Sequence, residues 1–326
     1  MKVLHYAQNG EPWDVITLQN EPAPMLAPGQ VMVKLEALPL HIADIMAIRG
    51  TLGVMPKGSG IPGFEGVGRI IEAAPDVTGW PLGTRVLLPI AHGAARELQA
   101  HAPAALMRVP EGPDAAQMAL VRINLSTAWL LLHAYEKLKP GSWVIQNAAN
   151  SNVGFYIARL AKTAGINVIN LVRRPELIAP LKAQGREHVF LDNEDLPALI
   201  VLLNAAPQIA FDAIGGPATA RLGHLVADNA HIISYGFLSK QPHQLDYTDL
   251  VFRNVRLTGM LTNRPLEDIG EQGRARLNAE LQTFIAAGNL QTEIAAIYPF
   301  SEAAAAFRHA NETGPARTGK IILTPN

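Results

Sequence analysis

The residues best placed to do chemistry are the stretch Trp143-Val144-Ile145-Gln146-Asn147-Ala148-Ala149-Asn150-Ser151-Asn152-Val153-Gly154 and the later pair Arg173-Arg174. A short β-branched run leads into a loop of small and amide residues, and the apolar spacing from Phe155 to Thr163 reads as a helix. This order matches the strand, turn and helix start of a dinucleotide-binding unit, where a diphosphate rests on backbone N–H groups at the helix N-terminus. Asn150, Ser151, Asn152, Val153 and Gly154 would form that cradle. The loop is not a complete G-x-G-x-x-G. Only Gly154 falls where a glycine is expected, and Asn150 and Asn152 take places that more often hold glycine. Asparagine tolerates left-handed backbone, so the loop can still close. The next strand, Asn167 to Val172, ends at two arginines instead of the acidic residue that bonds a ribose 2′-hydroxyl. Arginine there suits a 2′-phosphate, so the predicted cofactor is NADPH. The plain alternative is an ordinary strand–helix unit of a parallel sheet that holds no ligand.

These residues need elements to position them. The first third of the chain alternates strand-like runs, Val31–Ala37, Gly66–Ala73 and Thr84–Pro89, with Gly- and Pro-bearing turns. From about Asp114 helical spacing takes over in Ala115–Val121 and Thr127–Glu136, and Lys139-Pro140-Gly141 stops the second helix. Strands at Val144–Gln146, Val168–Val172, His188–Leu191, Ile209–Ala213, His231–Tyr235 and Val255–Met260 then alternate with helices at Glu176–Gln184, Leu196–Asn204 and Thr219–Asp228. Such alternation predicts a doubly wound parallel sheet with right-handed crossovers. Arg274–Ala287 and Ala303–Asn311 read as amphipathic helices, and Gly319–Leu323 reads as a last strand in the style of the first domain.

The bulk properties narrow the class of function. A chain of 326 residues is long for one core and comfortable for two domains. A formal net charge of −1 gives no reason to expect a nucleic-acid or anionic-membrane partner. No apolar run reaches transmembrane length and the first residues show no signal-peptide core, so a soluble cytoplasmic protein is the expectation. The chain has no cysteine, which excludes disulfides, thiolate nucleophiles and Cys-ligated metal.

The order of a β-rich domain, a nucleotide unit and a short C-terminal return, with Gly63-Phe64-Glu65-Gly66-Val67-Gly68 early, resembles the medium-chain dehydrogenase/reductase superfamily. Its closest branch looks like the zinc-independent quinone reductases and 2-enoyl thioester reductases, and Val144-Ile145-Gln146-Asn147-Ala148-Ala149-Asn150-Ser151 and Tyr235-Gly236-Phe237-Leu238-Ser239-Lys240-Gln241-Pro242 look most like the enoyl thioester reductases. The resemblance implies an α/β fold: an irregular β-rich, GroES-like catalytic domain (1–121 and 266–326) and a Rossmann domain (122–265). Zinc is not expected. Phe64 stands where the zinc alcohol dehydrogenases carry a histidine ligand, and their other ligands are mostly cysteines. His92 and His101 are read as surface or loop histidines.

Carried onto this sequence, the resemblance places Asn124 and Thr127 beside the nicotinamide and Asn150 to Gly154 on the diphosphate. Arg173 and Arg174 clamp the 2′-phosphate, and Tyr235, Gly236, Phe237 and Leu238 form a strand end under the nicotinamide. Met260, Leu261 and Thr262 form a loop across the active site, and Lys320 lies near the cofactor. Against these roles, Asn124 could cap a helix, Tyr235 could be core, and Lys320 could be a solvated edge charge.

Three departures bear on the substrate. Leu52 replaces the tyrosine that is the presumed proton donor of the enoyl thioester reductases, Leu261 replaces an aromatic residue, and His41 replaces an asparagine. Together they describe a wider, more aliphatic pocket with a different proton source, for which His41 is the candidate. A quinone needs little help with its proton, whereas an enoyl thioester gains from a positioned acid. The leading expectation is therefore NADPH-dependent reduction of a quinone or α,β-unsaturated carbonyl. A 2-enoyl thioester reductase with a basic entrance (Arg253, Arg256, Lys240, Arg264) is the second reading, and an NADPH-binding protein with little catalysis is the third. The resemblance also implies a homodimer paired through the edge strand Val255–Met260.

Overall fold

The structure is a computed structural model that describes residues 1–53, 58–90, 93–193, 196–288, 290, 292–312 and 319–325. Two compact units emerge, one of Met1–Ile123 with Asn278–Asn326 and one of Asn124–Leu277. The second boundary falls inside a long helix, well after the expected break at 265/266, because that helix runs on without interruption from the second unit into the first.

The first unit holds strands β1 (Lys2–Tyr6), β2 (Ile16–Asn20), β3 (Val31–Pro39), β4 (Val67–Ala73), β5 (Arg85–Leu87), β6 (Leu98–His101) and β7 (Met107–Arg108). Helices α1 (Pro12–Val15), α2 (Ile42–Ile48) and α3 (Ala115–Met118) lie among them. Among the described residues a seven-stranded sheet runs in the order β14-β15-β3-β4-β5-β7 with β6 also on β3, where β14 is Ile294–Pro299 and β15 is Lys320–Thr324. β3 is its spine: seven of its nine residues are buried outright, and a bulge after Met32 and another after Leu35 let it bend around the core. Helix α11 (Ala303–Asn311) buries Ala303, Ala306, Phe307 and Ala310, an i, i+3, i+4, i+7 stripe, against that core. β2, β6 and β14 are strands that pattern reading misses. β2 and β14 contain no fully buried residue, so neither shows the apolar run that marks a strand.

The second unit is the doubly wound sheet. Its strands are β8 (Trp143–Gln146), β9 (Asn167–Val172), β10 (His188–Leu191), β11 (Ile209–Asp212), β12 (His231–Ser234) and β13 (Arg256–Gly259). They pair in parallel in the order β10-β9-β8-β11-β12-β13. The helices are α4 (Val121–His133), α5 (Asn152–Thr163), α6 (Ile178–Ala183), α7 (Leu196–Leu202), α8 (Pro217–Leu225), α9 (Asn263–Asp268) and α10 (Gly270–Ala286). All four residues of β11 and of β12 are buried, as a sheet covered on both faces demands. Among the described residues no helix is long and apolar enough to cross a membrane.

Candidate functional site

The nucleotide loop joins β8 to α5. The Ser151 hydroxyl caps α5 by accepting the Gly154 N–H at 3.1 Å, and the Ser151 N–H donates to the Ala148 carbonyl at 2.8 Å. The left-handed residue of this turn is Ala148, with φ of 48°, and not Asn150 or Asn152. Asn152 is already the first residue of α5, so the chain tightens before either asparagine is reached. A Cβ on Gly154 would stand 2.8 Å from the Ala149 carbonyl oxygen and 2.9 Å from the Ala149 Cα. Glycine is required because helix and strand end approach so closely. The Asn152 side-chain nitrogen is buried and has no hydrogen-bond partner among the described residues. The first-turn N–H groups of Asn152 and Val153 likewise have no acceptor within the helix. These donors at a positive helix end fit a diphosphate.

Two strands along, β12 ends at Ser234 and the chain turns through Tyr235 and Gly236. A Cβ on Gly236 would lie 2.5 Å from the Ala213 carbonyl, so this turn too is pressed against its neighbour. Phe237 and Leu238 are exposed, 44% and 50%. Burial pushes the Tyr235 phenol well above its usual range, and the nearby Ser151 hydroxyl only partly offsets this. Its oxygen forms no well-aligned hydrogen bond. The Ser151 and Tyr235 loops therefore meet.

Both are braced by a network that sequence reading passes over. Asn147 donates to Asp212 Oδ1 at 2.6 Å and accepts from the Ala213 N–H at 2.8 Å. Asp212 also accepts from the Ile214 N–H, the Gly215 N–H and the Thr219 hydroxyl. An Asp with no exposure and four donors ties β11 to the loops on either side. The only sequence signal was an unremarked Asn in a quoted motif.

Arg173 and Arg174 follow β9 at its carboxyl end, as expected. Arg173 is exposed with no ion pair among the described residues, and Arg174 has only a loose one, 3.6 Å to Glu176. Met260 and Leu261 follow the end of β13, and the Thr262 hydroxyl lies 3.4 Å from that of Thr127, so α4 and the 260–262 segment meet. Asn124 and Thr127 are buried on α4. The loop, the arginines, Tyr235–Leu238 and Met260 thus all gather at the carboxyl ends of parallel strands, where ligands of such sheets bind.

His41, Leu52 and Lys320 belong to the first unit. His41 precedes α2 and is buried, 8% exposed, with Nε2 2.6 Å from Glu65 Oε1. Glu65 Oε2 accepts the Ile123 N–H at 2.8 Å. Asp44 Oδ2 accepts the His41 N–H at 2.8 Å and Oδ1 the Gly63 N–H at 2.9 Å. Burial pushes the Asp44 carboxyl up, while His41 and the two N–H groups pull it back. Arg122 sits near Glu65 with a buried Nη1 that has no hydrogen-bond partner among the described residues, and burial lowers its pKa against the pull of Glu65. Sequence reading missed Glu65, Asp44 and Arg122 as a group around His41, although Glu65 stands inside the quoted Gly-rich motif. Leu52 is half-buried just past the other end of α2, its N–H on the Met46 carbonyl.

Comparison with known proteins agrees with this architecture. Residues 27–112 match the family described as the alcohol dehydrogenase GroES-like domain, and 185–323 match the one described as zinc-binding dehydrogenase. The mitochondrial enoyl-[acyl-carrier-protein] reductase of Xenopus tropicalis is 33% identical over 265 residues, 78% of this chain and 75% of the relative. The chain belongs to the medium-chain dehydrogenase/reductase superfamily. Two solved structures share its fold. A Bacillus thuringiensis protein provisionally assigned as an NADPH:quinone reductase aligns with TM-score 0.90 at 22% identity, covering 100% of this chain and 99% of that one. Etr1p, solved with NADP and crotonyl-CoA, aligns with TM-score 0.87 at 23% identity, covering 99% of each.

The family description raises zinc, and the residues here do not fit it. Beside His41 stand two carboxylates, Glu65 and Asp44, all four of whose oxygens already accept hydrogen bonds, and the neighbouring ligand position is Phe64. Among the described residues the single cluster with metal-ligand types is His224, Asp246 and Asp249. There the two imidazole nitrogens of His224 already face the two carboxylates, Asp246 at 2.8 Å and Asp249 at 3.0 Å.

Other expectations need correction. His101 is not a loop histidine: it closes β6 half-buried, and burial followed by Arg96 lowers its pKa. His92 lies outside the described residues. Of the four basics offered as a substrate entrance, Arg253 is held by Asp249 (2.7 Å) and Asp228 (2.9 Å), and Arg256 by Glu136 (2.7 Å). Their charges are spent within the fold, which leaves Lys240 and Arg264.

Proposed function

We propose that the chain is an NADPH-dependent, metal-independent reductase of quinones or α,β-unsaturated carbonyls. The observation that carries this reading is the cradle at Gly154, with its orphaned Asn152 amide, followed at the end of β9 by an arginine pair with little other ion pairing. Bound there, the cofactor supplies hydride; the residues of this chain bind it, orient it and hold a proton. Asn152 and Val153 would receive the diphosphate, Arg173 and Arg174 the 2′-phosphate, and Tyr235–Leu238, Met260, Leu261, Thr262, Asn124 and Thr127 the nicotinamide half, with Lys320 adding positive charge. His41, hydrogen-bonded to a fully buried Glu65, is the group that would protonate the reduced acceptor. Leu52 and Leu261, aliphatic where relatives carry aromatics, leave room for a flat acceptor.

A second reading, reduction of 2-enoyl thioesters, is favoured by the identity to the Xenopus tropicalis enzyme and by Lys240 and Arg264, which make no ion pair among the described residues. Purified protein, NADPH, and benzoquinone beside crotonyl-CoA decide between them, with NADH as control. Turnover on the quinone alone supports the first reading, and turnover on the thioester the second. Equal use of NADH overturns the role of Arg173 and Arg174. NADPH binding without turnover on either acceptor leaves a binding protein.

The proposal includes a homodimer. β13 is the outer strand of its sheet and exposed along its length, and the neighbouring turn presents Tyr247, Val251 and Phe252 at 65%, 57% and 73% exposure. An open edge beside an apolar patch calls for a partner, here a second copy. A monomeric mass by light scattering at micromolar concentration overturns this.

A further inference from the structure

Four side chains in series cross the carboxyl end of the second unit's sheet, and the proposed function gives them no part. The Thr219 hydroxyl, in the first turn of α8, donates to Asp212 Oδ2 at 2.6 Å. That uses its one hydrogen, so its oxygen can only accept from His243 Nδ1, which lies 3.0 Å away. His243 Nδ1 therefore carries a proton, and Asp212 Oδ2 itself stands 3.5 Å from the same nitrogen. Across the ring, Nε2 is 2.9 Å from Ser234 Oγ, where a neutral imidazole accepts the hydroxyl hydrogen. Serine, histidine and aspartate in this order form the triad of acyl transfer. Ser234 is only 9% exposed, however, so the ring serves here as a brace and not as the base of a nucleophile.

What the brace holds is the end of β12. Ser234 is its last residue, and the Ser234 carbonyl accepts the Met260 N–H at 2.7 Å. Tyr235, next along, donates its N–H to the Asp212 carbonyl at 2.9 Å. Ser234 thus joins the two segments assigned to the nicotinamide half, Tyr235–Leu238 and Met260–Thr262. Its hydroxyl has the Gly236 carbonyl as another neighbour, but at 3.5 Å, too long for a sound hydrogen bond. From 235 to 246 the chain is neither strand nor helix, and it lies over the Gly215–Gly216 turn. The Leu238 and Ser239 N–H groups donate to the Ala213 and Ile214 carbonyls at 3.2 and 2.8 Å, and the Gln244 N–H donates to the Gly216 carbonyl at 3.3 Å. A Cβ on Gly215 would stand 3.0 Å from His243 Cε1, so the imidazole rests closely on that turn. It ties the returning half of the loop back to the strand from which the loop began.

We propose that His243 is a positioning residue for hydride transfer: bridging Thr219 and Ser234, it fixes the strand end and turn against which the nicotinamide is oriented. This role rests on the assignment of Tyr235–Leu238 and Met260–Thr262 to the nicotinamide half. The diphosphate and the 2′-phosphate are given to other residues, Asn152, Val153, Arg173 and Arg174, so the brace acts on one half of the cofactor. Hydride transfer depends steeply on how donor and acceptor meet, and a misplacement of about 1 Å costs on the order of 100-fold in rate. Removing the ring takes the partner of Thr219 Oγ1 and of Ser234 Oγ together and frees the turn. A glutamine amide, with a donor and an acceptor like the neutral ring, can restore the bridge.

The test titrates the full chain calorimetrically with NADPH and with 2′-phospho-ADP-ribose, the same molecule without its nicotinamide. Wild type is compared with His243→Ala, His243→Gln, Ser234→Ala and the double variant His243→Ala/Ser234→Ala. The truncated molecule should bind all of them equally. NADPH should bind His243→Ala several-fold more weakly, approaching the truncated molecule. Turnover of whichever acceptor the wild type reduces, benzoquinone or crotonyl-CoA, should fall by about 10- to 100-fold. In the cofactor-free protein, amide hydrogen exchange across residues 235–246 should quicken in His243→Ala. His243→Gln should reverse all three changes. Because His243 acts through Ser234, the double variant should lose no more than His243→Ala alone. Should His243→Ala not fold, as a thermal melt shows, Ser234→Ala keeps the imidazole and carries the same expectations. Equal weakening of NADPH and the truncated molecule overturns the role, as does faster exchange with turnover and NADPH affinity intact, since the ring would then only hold the fold. A wild type that binds NADPH no better than the truncated molecule refutes the nicotinamide assignment, and this role with it. Wild-type preference for NADPH kept in full by His243→Ala refutes this role alone.

Discussion

Gly154→Ala is the sharpest test of the cofactor loop, because two opposed effects can be sized from the structure. Position 154 is in the first turn of α5, where alanine is favoured over glycine by about 1 kcal/mol. Against this, the added methyl would meet Ala149 O at 2.8 Å, Ala149 Cα at 2.9 Å and Ala148 O at 3.0 Å. All three are backbone atoms of a turn already bent through a left-handed alanine, so no side chain can swing away. Overpacking of this kind costs roughly 1–3 kcal/mol, which leaves a net loss of about 0–2 kcal/mol in stability. Binding suffers more. The turn must open to admit the methyl, and the amides of Asn152 and Val153 then lose their aim; one hydrogen bond to a charged group is worth about 1.5–3 kcal/mol. NADPH affinity should fall by roughly 10- to 150-fold, while the melting temperature drops only a few degrees. The two are read by nicotinamide fluorescence titration and by a thermal melt. Wild-type NADPH affinity in Gly154→Ala would refute the cradle, whatever happened to the melt.

Replacing Arg173 and Arg174 together by alanine should raise the KM for NADPH by about 10-fold or more at constant kcat and leave NADH unchanged, since each arginine gives a charge-assisted bond to the 2′-phosphate. Equal losses with both cofactors would refute that role. His41→Ala should lower kcat by about 100-fold or more on an acceptor that needs a proton and alter its pH profile, with a smaller effect on a quinone; unchanged turnover and profile remove His41 from the mechanism. Asp44 bears on stability instead. Because burial raises its pKa in the folded chain, the native state holds this proton more tightly than the unfolded one, so stability falls as pH rises from the ordinary carboxylate range through the raised pKa. Asp44→Asn removes that slope but sacrifices an acceptor for the His41 or Gly63 N–H. The gap between wild-type and variant urea midpoints should therefore narrow as pH rises above about 4, and a gap independent of pH contradicts the assignment.

The sequence by itself determined the Rossmann unit. Its strands are covered on both faces, so runs such as Ile209–Asp212 and His231–Ser234 are buried throughout with apolar centres, and the boundaries read from them lie within a residue or two of the observed ones. It also supplied the position of Gly154, since a close approach is written in a single residue, and the place of Arg173 and Arg174 at the end of β9. The first unit was less legible. β2 and β14 are half-exposed strands whose partners are distant in sequence, and only the sheet gives them a reason to extend. The partners of His41 were out of reach for the same cause. Glu65 comes from the turn before β4 and the Ile123 N–H from the first turn of α4, positions 24 and 58 residues apart from their partners along the chain. The buried Asp212 network likewise exists only once separate strands are laid side by side. Local chemistry fixes which residues can bind a phosphate or hold a helix end; which charge ends up buried beside which is decided by packing.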